Sequence, residues 1–218
     1  MSAVLPRLDH TTLSDFDNVY EPSDDTFLLC DALLADRDFI TARDPRVVCE
    51  IGTGSGCVIT YAYQLLEKHG SCPPARATYY ATDINPAALI LAQATAAHNE
   101  MRWVWPARCS LLYIWKSCCP NVLYMLIQVD VLIFNPPYVP TEDEEVDGSC
   151  GISASWAGGI NGRLIIDKFL PMIKMLLRPG LGVCYLLLVK ENKPKEICCI
   201  LTAQGLVVEV LPLVSLPP

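Results

Sequence analysis

The chain has 218 residues, a length that predicts a single domain spanning 1–218. Hydrophobic residues make up 52% of the chain and charged residues only 18%, which provides a large core and excludes a disordered protein. The 24 acidic residues exceed the 16 lysines and arginines and give a net charge of −8, so general binding of nucleic acid by a basic surface is disfavoured.

Helical and strand-like segments alternate along the chain, which predicts an α/β fold with a parallel sheet. A first helix is predicted from about Pro22, with Asp24 and Asp25 at its positive end, and Asn85 is predicted to cap a later helix. Residues 101–121 have neither helical nor strand periodicity, so we predict no structure for them. The other predicted helices run from a glycine-rich loop to about residue 68 and over 87–99 and 163–177. The predicted strands span 46–51, 77–82, 129–134, 183–189 and, after one more helix, 206–213.

Between the first strand and the next helix lies the loop Glu50–Gly56, which contains Gly52, Gly54 and Gly56. Glycines there let the backbone approach a ligand, and the helix start offers unpaired N–H groups. No Gly-Lys-Ser/Thr follows, so the loop is not a phosphate-binding P-loop. Asp83 ends the second strand, where a carboxylate can accept both ribose hydroxyls of an adenosine-type ligand. The alternatives are a tight turn for the loop and an ordinary strand end for Asp83.

The most specific motif is Asn135-Pro136-Pro137-Tyr138, directly after the strand 129–134. Its position is where an open α/β sheet binds ligands, although Asn-Pro also begins ordinary turns. The asparagine carbonyl and the next backbone carbonyl can both accept from one planar –NH₂ group, while the tyrosine ring can stack on it. The motif therefore predicts a site for a planar amino or amide group.

These motifs, in this order, resemble those of class I S-adenosylmethionine-dependent methyltransferases that methylate planar amino groups. Three further segments narrow the resemblance to the HemK family, in its eukaryotic and archaeal branch of class 1 release factor glutamine methyltransferases. They are Tyr20–Phe27, Trp156–Arg163 and Lys190–Asn192. The resemblance covers about residues 18–100 and 129–205.

The resemblance implies a Rossmann-like class I methyltransferase fold with an N-terminal extension at 1–18 and S-adenosylmethionine as cofactor. In-line methyl transfer from the sulfonium would depend on positioning more than on a general base, so none of His10, His69 and His98 is given a role. The implied cofactor-binding residues are Thr26, Glu50, Gly52, Gly54, Gly56, Asp83 and Asn135. Asn135, Pro136, Pro137 and Tyr138 would bind the glutamine amide, with Asn135, Pro136 and Tyr138 as the catalytic set.

The same resemblance implies a class 1 translation release factor as substrate and a small zinc-binding activator subunit that pairs edge to edge with the sheet. Three alternatives remain: methylation of adenine or another nucleic-acid amino group, methylation of a protein lysine, and a non-catalytic pseudoenzyme that keeps partner binding. The acidic loop 142–147 argues against stable nucleic-acid binding.

The eleven cysteines indicate a reducing compartment, because their number is odd and no apolar secretory segment begins the chain. No Cys-x-x-Cys pair occurs, so we expect no metal site. The longest apolar stretch, 122–134, is interrupted by Gln128 and Asp130, and a membrane helix needs about 20 apolar residues. We therefore expect no membrane association and a location in the cytoplasm or the nucleus.

Two features depart from the family. Family members carry an acidic residue after the fourth strand, and this residue contacts the cofactor's adenine. Here no Asp or Glu occurs between Glu100 and Asp130. We expect an anomalous segment at 101–127, with an inner strand missing from the sheet, and treat a divergent or mis-spliced segment as the simplest explanation. The chain also ends at Pro218, so we expect the family's C-terminal hairpin to be incomplete.

Overall fold

A computed structural model of the chain describes residues 4–68, 77–101, 104–108, 128–141 and 156–211. Within these ranges five strands form one parallel sheet: β1 Val47–Ile51, β2 Thr78–Asp83, β3 Val104–Arg108, β4 Val131–Phe134 and β5 Val183–Leu186. Their order across the sheet is β3-β2-β1-β4-β5. The predicted parallel α/β fold is confirmed, and the chain reverses its direction of winding between β1 and β4.

Six α-helices accompany the sheet in the described ranges: α1 Asp24–Ala35, α2 Arg37–Thr41, α3 Cys57–Tyr63, α4 Pro86–His98, α5 Leu164–Leu176 and α6 Pro194–Ala203. The predicted cap of α4 is confirmed, since the Asn85 side chain accepts a hydrogen bond from the Ala87 amide at 3.0 Å. The helix predicted to reach residue 68 is α-helical only to Tyr63 and continues as a π-helical turn over Gln64–Lys68. None of these helices is long and apolar enough to cross a membrane.

Two apolar layers enclose the sheet. Val48 and Ile133 face a cluster with α1 and α3, whereas Cys49 and Leu132 face a second cluster with α5 and α6. All four side chains are at most 1% exposed. The central strands are therefore buried on both faces, which explains their continuous apolar sequences.

The chain before α1, residues 4–22, lies against α4, and we call it the N-terminal strap. Arg7 donates its amide to Asn99 Oδ1 at 2.8 Å, and Asn99 Nδ2 donates back to the Arg7 carbonyl at 2.9 Å. His10 stacks near His98, with ring centroids 4.7 Å apart, and its Nε2 lies 3.2 Å from Thr95 Oγ1. Polar contacts thus fasten the strap along the second half of α4.

The expectation of a missing inner strand is wrong, because β3 lies within the segment that showed no periodicity. β3 occupies an end of the described sheet, next to β2, and not an inner position. Its Trp105 side chain is 54% exposed, and Pro106 is compatible with an edge strand, which does not need every backbone donor. A half-exposed edge strand lacks the apolar run of a central strand, and so the sequence pattern did not reveal it.

The prediction of a last strand over 206–213 is wrong for residues 206–211, which form no strand. Leu206 and Val208 pack on the cluster beneath α5 and α6, while Val207 and Val210 are exposed. The alternation of apolar and polar residues therefore arises because one side of this segment packs on the core. Its backbone does not pair with a strand of the described sheet. Residues 212–213 lie outside the described ranges, as do His69, the acidic loop 142–147 and the rest of the segment beyond Arg108.

Candidate active site

Three strand ends meet where the direction of winding reverses. In the sheet register Ile51 of β1 stands beside Thr82 of β2 and Phe134 of β4. The loops that follow these strands carry the glycine loop, Asp83 and the Asn135–Tyr138 turn. The sheet therefore brings the three predicted motifs to one crevice at its carboxyl edge, as expected for ligand binding in open α/β sheets.

The glycines of the loop have positive φ angles of 66° at Gly52, 51° at Gly54 and 76° at Gly56. A side-chain carbon added to Gly54 would meet no atom within 4 Å, whereas one added to Gly56 would lie 2.6 Å from Ala92 Cα. Gly54 thus faces open space that a ligand can fill, while Gly56 is required for the contact between the loop and α4.

Glu50 supports the glycine loop from inside the protein. Its side chain is buried, and its Oε2 accepts hydrogen bonds from Thr53 Oγ1 at 2.7 Å and from the Ile59 amide at 3.1 Å. Burial raises the pKa of Glu50 to about 8, because desolvation disfavours the carboxylate more than these two bonds favour it. Glu50 therefore joins the end of β1 to the first turn of α3.

Asp83, the last residue of β2, lies against the glycine loop. Its Oδ2 accepts from the Gly54 amide at 3.0 Å and its Oδ1 from the Asn85 amide at 2.9 Å. Burial raises the pKa of Asp83 against the effect of these bonds. Since each carboxylate oxygen can accept more than one hydrogen bond, the group has capacity left for the two hydroxyls of a ribose.

Asn135 has its amide orientation fixed by a carboxylate. Asn135 Nδ2 donates to Asp25 Oδ2 at 2.9 Å, and the Tyr138 hydroxyl donates to the same oxygen at 3.0 Å. Asn135 Oδ1 is buried and has no partner among the described residues. A buried acceptor without a donor is costly, so this oxygen indicates the place of a ligand N–H group.

Asp25 was not among the predicted site residues, because its place at the positive end of α1 already explained a carboxylate there. Asp25 Oδ1 also accepts from Ser23 Oγ at 2.9 Å and from the Thr26 amide at 2.7 Å. Burial alone would raise the pKa of Asp25, but the hydrogen bonds from Asn135 and Ser23 outweigh it and lower the pKa. Its occurrence in the Tyr20–Phe27 segment was the available signal.

Thr26 lies beside this carboxylate and is 7% exposed. Its hydroxyl accepts from the Ser23 amide at 3.3 Å, which closes the first turn of α1. Burial, and next the charge of Asp25, raise the pKa of Tyr138, so that the phenol remains a hydrogen-bond donor. Thr26 thus lies next to Asp25, which contacts the crevice, while the Thr26 hydroxyl stabilises the first turn of α1.

These residues fit an S-adenosyl cofactor. The open space at Gly54 admits a ligand against the loop backbone. The carboxyl groups of Glu50, which is buried, and of Asp83, which is partly exposed, can hold the amino acid part and the ribose respectively. The cofactor would supply a methyl group on a sulfonium, a strong electrophile. The strand order and this arrangement define a class I methyltransferase.

Comparison with known proteins gives the family. No protein-family model matches the chain. Methyltransferase HEMK2 of Homo sapiens is 40% identical over 197 residues, which cover 90% of this chain and 84% of the human protein. The eRF1 methyltransferase catalytic subunit mtq2 of Schizosaccharomyces pombe is 33% identical over 207 residues, 93% of this chain and 86% of that protein. The chain belongs to the HEMK2 family of S-adenosylmethionine-dependent methyltransferases.

Solved structures agree on the fold. Ribosomal protein L11 methylase of Lactobacillus delbrueckii subsp. bulgaricus superposes with a TM-score of 0.51 at 17% identity, covering 84% of this chain and 70% of that chain. TrmN of Thermus thermophilus gives a TM-score of 0.50 at 23% identity, covering 76% and 39%. At these identities the likeness concerns the fold alone.

Proposed function

We propose that this protein transfers the methyl group of S-adenosylmethionine to the side-chain amide nitrogen of a glutamine in a class 1 translation release factor. The mtq2 relative is named as an eRF1 methyltransferase, which supports this choice of substrate. The observation that carries the proposal is Asn135, whose Nδ2 is bound to Asp25 and whose buried Oδ1 has no partner among the described residues.

Asp25 determines which end of the Asn135 amide is offered to the substrate. A carboxylate only accepts hydrogen bonds, so it selects the orientation with Nδ2 toward itself. Oδ1 then points away from Asp25 and can accept one N–H of a glutamine side chain, with the Pro136 carbonyl as acceptor for the other. These two hydrogen-bond acceptors match the two N–H groups of a planar amide –NH₂. Neither of them can bind the carbonyl oxygen of that amide.

The cofactor would supply its methyl group by in-line displacement: the N–C bond would form as the S–C bond breaks, the sulfonium would leave as a neutral thioether, and the amide nitrogen would lose one proton to water. Amide nitrogen is a weak nucleophile, so the rate depends on holding it close to the methyl group and in line with it. The Tyr138 hydroxyl is held by Asp25 at 3.0 Å, which orients the ring beside the planar amide. The roles of Glu50, the glycine loop and Asp83 are to hold the cofactor while the Asn135–Tyr138 turn holds the acceptor.

The deciding experiment measures transfer of a radiolabelled methyl group to a purified release factor, with mass spectrometry to locate the modified residue. The expected result is one methyl group on a glutamine, and no transfer to a factor in which that glutamine is alanine. Methylation of a lysine, or of DNA or RNA in place of the factor, would replace the proposal.

A variant of the turn separates acceptor binding from cofactor binding. Asn135→Ala removes the free acceptor and is expected to lower transfer by at least about a hundredfold, with cofactor binding by calorimetry largely kept. Asp83→Ala is the matched variant on the cofactor side and should weaken cofactor binding first. Turnover retained in Asn135→Ala would refute the role assigned to Asn135.

We also propose that a small zinc-binding activator subunit pairs with the β3 edge of the sheet. In the described ranges β3 pairs with β2 on one side only, and Trp105 is 54% exposed beside it. An exposed strand edge with an apolar side chain favours pairing with another chain. A cytoplasmic or nuclear location agrees with such a partner and with a release factor substrate.

Co-purification tests this interface. Trp105→Glu is expected to reduce recovery of a co-expressed activator at least about tenfold, because a charge replaces an apolar contact. Ile90→Glu is the control, since Ile90 is also exposed, at 69%, and lies on α4 instead of the strand edge. Equal recovery with Trp105→Glu and the parent chain would place the partner elsewhere.

A further inference from the structure

Asn192 is a fully buried polar residue that belongs to neither the glycine loop nor the Asn135–Tyr138 turn. It lies in the short 3₁₀ turn Lys190–Asn192 after β5 and is 0% exposed. Its Oδ1 accepts from the Val189 amide at 2.8 Å, which holds the side chain to its own turn. A buried amide of this kind must direct its two N–H donors at acceptors in the protein.

Those donors reach the backbone of two other segments. Asn192 Nδ2 donates to the Tyr138 carbonyl at 2.9 Å and to the Asn161 carbonyl at 2.9 Å, with a longer contact to the Gly162 carbonyl at 3.3 Å. One side-chain amide therefore connects Tyr138 to the 160–162 turn. Tyr138 is the last residue of the Asn135–Tyr138 turn, which we call the acceptor turn because it would hold the methyl acceptor. Water cannot replace these bonds, because the group is wholly buried.

The packing around this amide has no spare room. A side-chain carbon on Gly162 would overlap the Tyr138 carbonyl, and one on Gly158 would lie 2.5 Å from the Pro137 carbonyl. Both glycines let the 158–162 backbone lie directly against the acceptor turn. The Asn192 amide thus supplies the side-chain hydrogen bonds between the Asn135–Tyr138 turn and residues 158–162, which otherwise contact each other through backbone atoms.

The acceptor turn is fixed at its other end by the sheet. The Phe134 carbonyl accepts from the Leu187 amide at 3.1 Å, which places the start of the turn beside β5. Between Phe134 and Tyr138 the two prolines have restricted φ angles and little freedom to absorb a shift. Movement of the Tyr138 carbonyl would therefore be transmitted to Asn135 and Pro136.

We infer that Asn192 is a positioning residue for the acceptor site, whose side-chain amide holds the Tyr138 carbonyl against the 160–162 turn and so sets the geometry of Asn135 and Pro136. The inference rests on the proposed function for its effect on catalysis. The conformational part concerns only the described contacts and is tested without turnover.

The test compares Asn192→Asp with Asn99→Asp. Asn192→Asp keeps the size and the acceptor for Val189 but removes the donors to Tyr138 and Asn161. Asn99 is a matched control, because it is also buried, at 3% exposure, and its amide bonds to the strap and to α4, away from the turn. If Asn192→Asp fails to give a cooperative thermal transition, Asn192→Ser, which is smaller and keeps one donor, takes its place.

The first measurement is hydrogen exchange of the amides of Val139 and Thr141, which donate to the Trp156 and Gly159 carbonyls respectively. Exchange there is expected to rise at least about tenfold in the Asn192 variant and to remain unchanged in Asn99→Asp. Unchanged exchange in a folded Asn192 variant would overturn the inference, whether or not the parent chain methylates a release factor.

The second measurement is steady-state methylation of the release factor at saturating cofactor. In the Asn192 variant kcat is expected to fall about ten- to a hundredfold, with the dissociation constant of S-adenosylmethionine within about twofold of the parent. Asn99→Asp should keep its kcat even where its melting temperature falls equally. An equal loss of kcat in both variants would indicate general destabilisation and overturn the positioning role. No turnover by the parent chain would count against the proposed function, and the exchange measurement would still decide the inference.

Discussion

Glu50 is a carboxyl group whose ionisation is opposed by its surroundings. Burial raises its pKa to about 8, while an exposed glutamate in the unfolded chain titrates near 4.3. Between these two values the folded protein binds a proton that the unfolded chain does not. Stability contributed by Glu50 is therefore present at low pH and is lost as pH rises toward 8.

The variant Glu50→Gln tests this pH dependence. A glutamine can accept the bonds from Thr53 and Ile59 through its carbonyl oxygen but does not ionise. We expect the melting temperature of the parent to fall relative to that of the variant between about pH 5 and 8, by several degrees in total. Thermal melts across this range check it, and parallel curves would show that Glu50 is not protonated in the folded state.

Among single residues, short sequence motifs predicted positions in the crevice, whereas contacts between residues distant in sequence were not predicted. The position of Glu50, Asp83 and Asn135 at the carboxyl edge of the sheet could be predicted, because each stands in a short motif at a strand end. The contacts of Asp25 with Asn135 and of Asn192 with Tyr138 were not predicted, because the residues of each pair lie 110 and 54 positions apart in sequence. Contacts between residues so far apart in sequence can be identified only in the folded structure, where the sheet brings the loops together.

At the scale of elements, α3 and α4 approach each other through the glycine loop. A side-chain carbon on Gly56 would lie 2.6 Å from Ala92 Cα, and the residue has a φ of 76°, whereas Gly54, at 51°, faces open space. The two glycines of one motif therefore have different functions. Gly56 is required for packing against α4, and we propose that Gly54 leaves room for the cofactor.

Alanine at each position separates these functions. Gly56→Ala is expected to lower the free energy of unfolding by about 2–4 kcal/mol, from the left-handed backbone and the overlap with Ala92. Gly54→Ala is expected to cost only about 1–2 kcal/mol from its backbone but to weaken cofactor binding at least about tenfold. Denaturant titration and calorimetry measure the two quantities, and a Gly54 variant with unchanged cofactor affinity would contradict the assignment.

The elements that the sequence failed to predict have one physical cause. β3 is half exposed, so its sequence lacks a continuous apolar run, and residues 206–211 alternate because one face packs on a core. Periodicity reports which side chains are buried and does not report whether a backbone has a neighbour to pair with. β1, buried apart from Val47, and the fully buried β4 were predicted correctly because their burial is visible as mostly apolar sequence.

At the scale of the whole molecule, the strap contains a histidine that cannot be protonated without cost. The hydroxyl of Thr95 donates to the Ser55 carbonyl at 2.7 Å, so it accepts from His10 Nε2, and the buried His10 Nδ1 has no partner among the described residues. Burial, and next the charge of His98, lower the pKa of His10 despite the opposing effect of Asp9 and Asp15.

Acid is therefore expected to loosen the strap. The unfolded histidine titrates near 6.5, and a folded pKa below that value means that stability is lost as pH falls below it. His10→Gln keeps a donor toward Thr95 without a titrating group. We expect hydrogen exchange in residues 11–19 to rise in the parent between about pH 6.5 and 5 and to rise less in the variant, after correction for intrinsic rates. Identical pH responses would exclude His10 as the cause.

The position of α1 has a consequence for how the two ligands bind. Its first turn carries Asp25, which holds Asn135, and its body packs against α3, which starts at the glycine loop. One helix thus contacts both the Asn135–Tyr138 turn and the helix that follows the glycine loop. If cofactor binding shifts α1, the affinity for the glutamine segment changes by some factor, and thermodynamic reciprocity requires the glutamine segment to change cofactor affinity by the same factor. The free energies of binding of the two ligands would then be coupled through α1, in addition to their direct contact at the transferred methyl group.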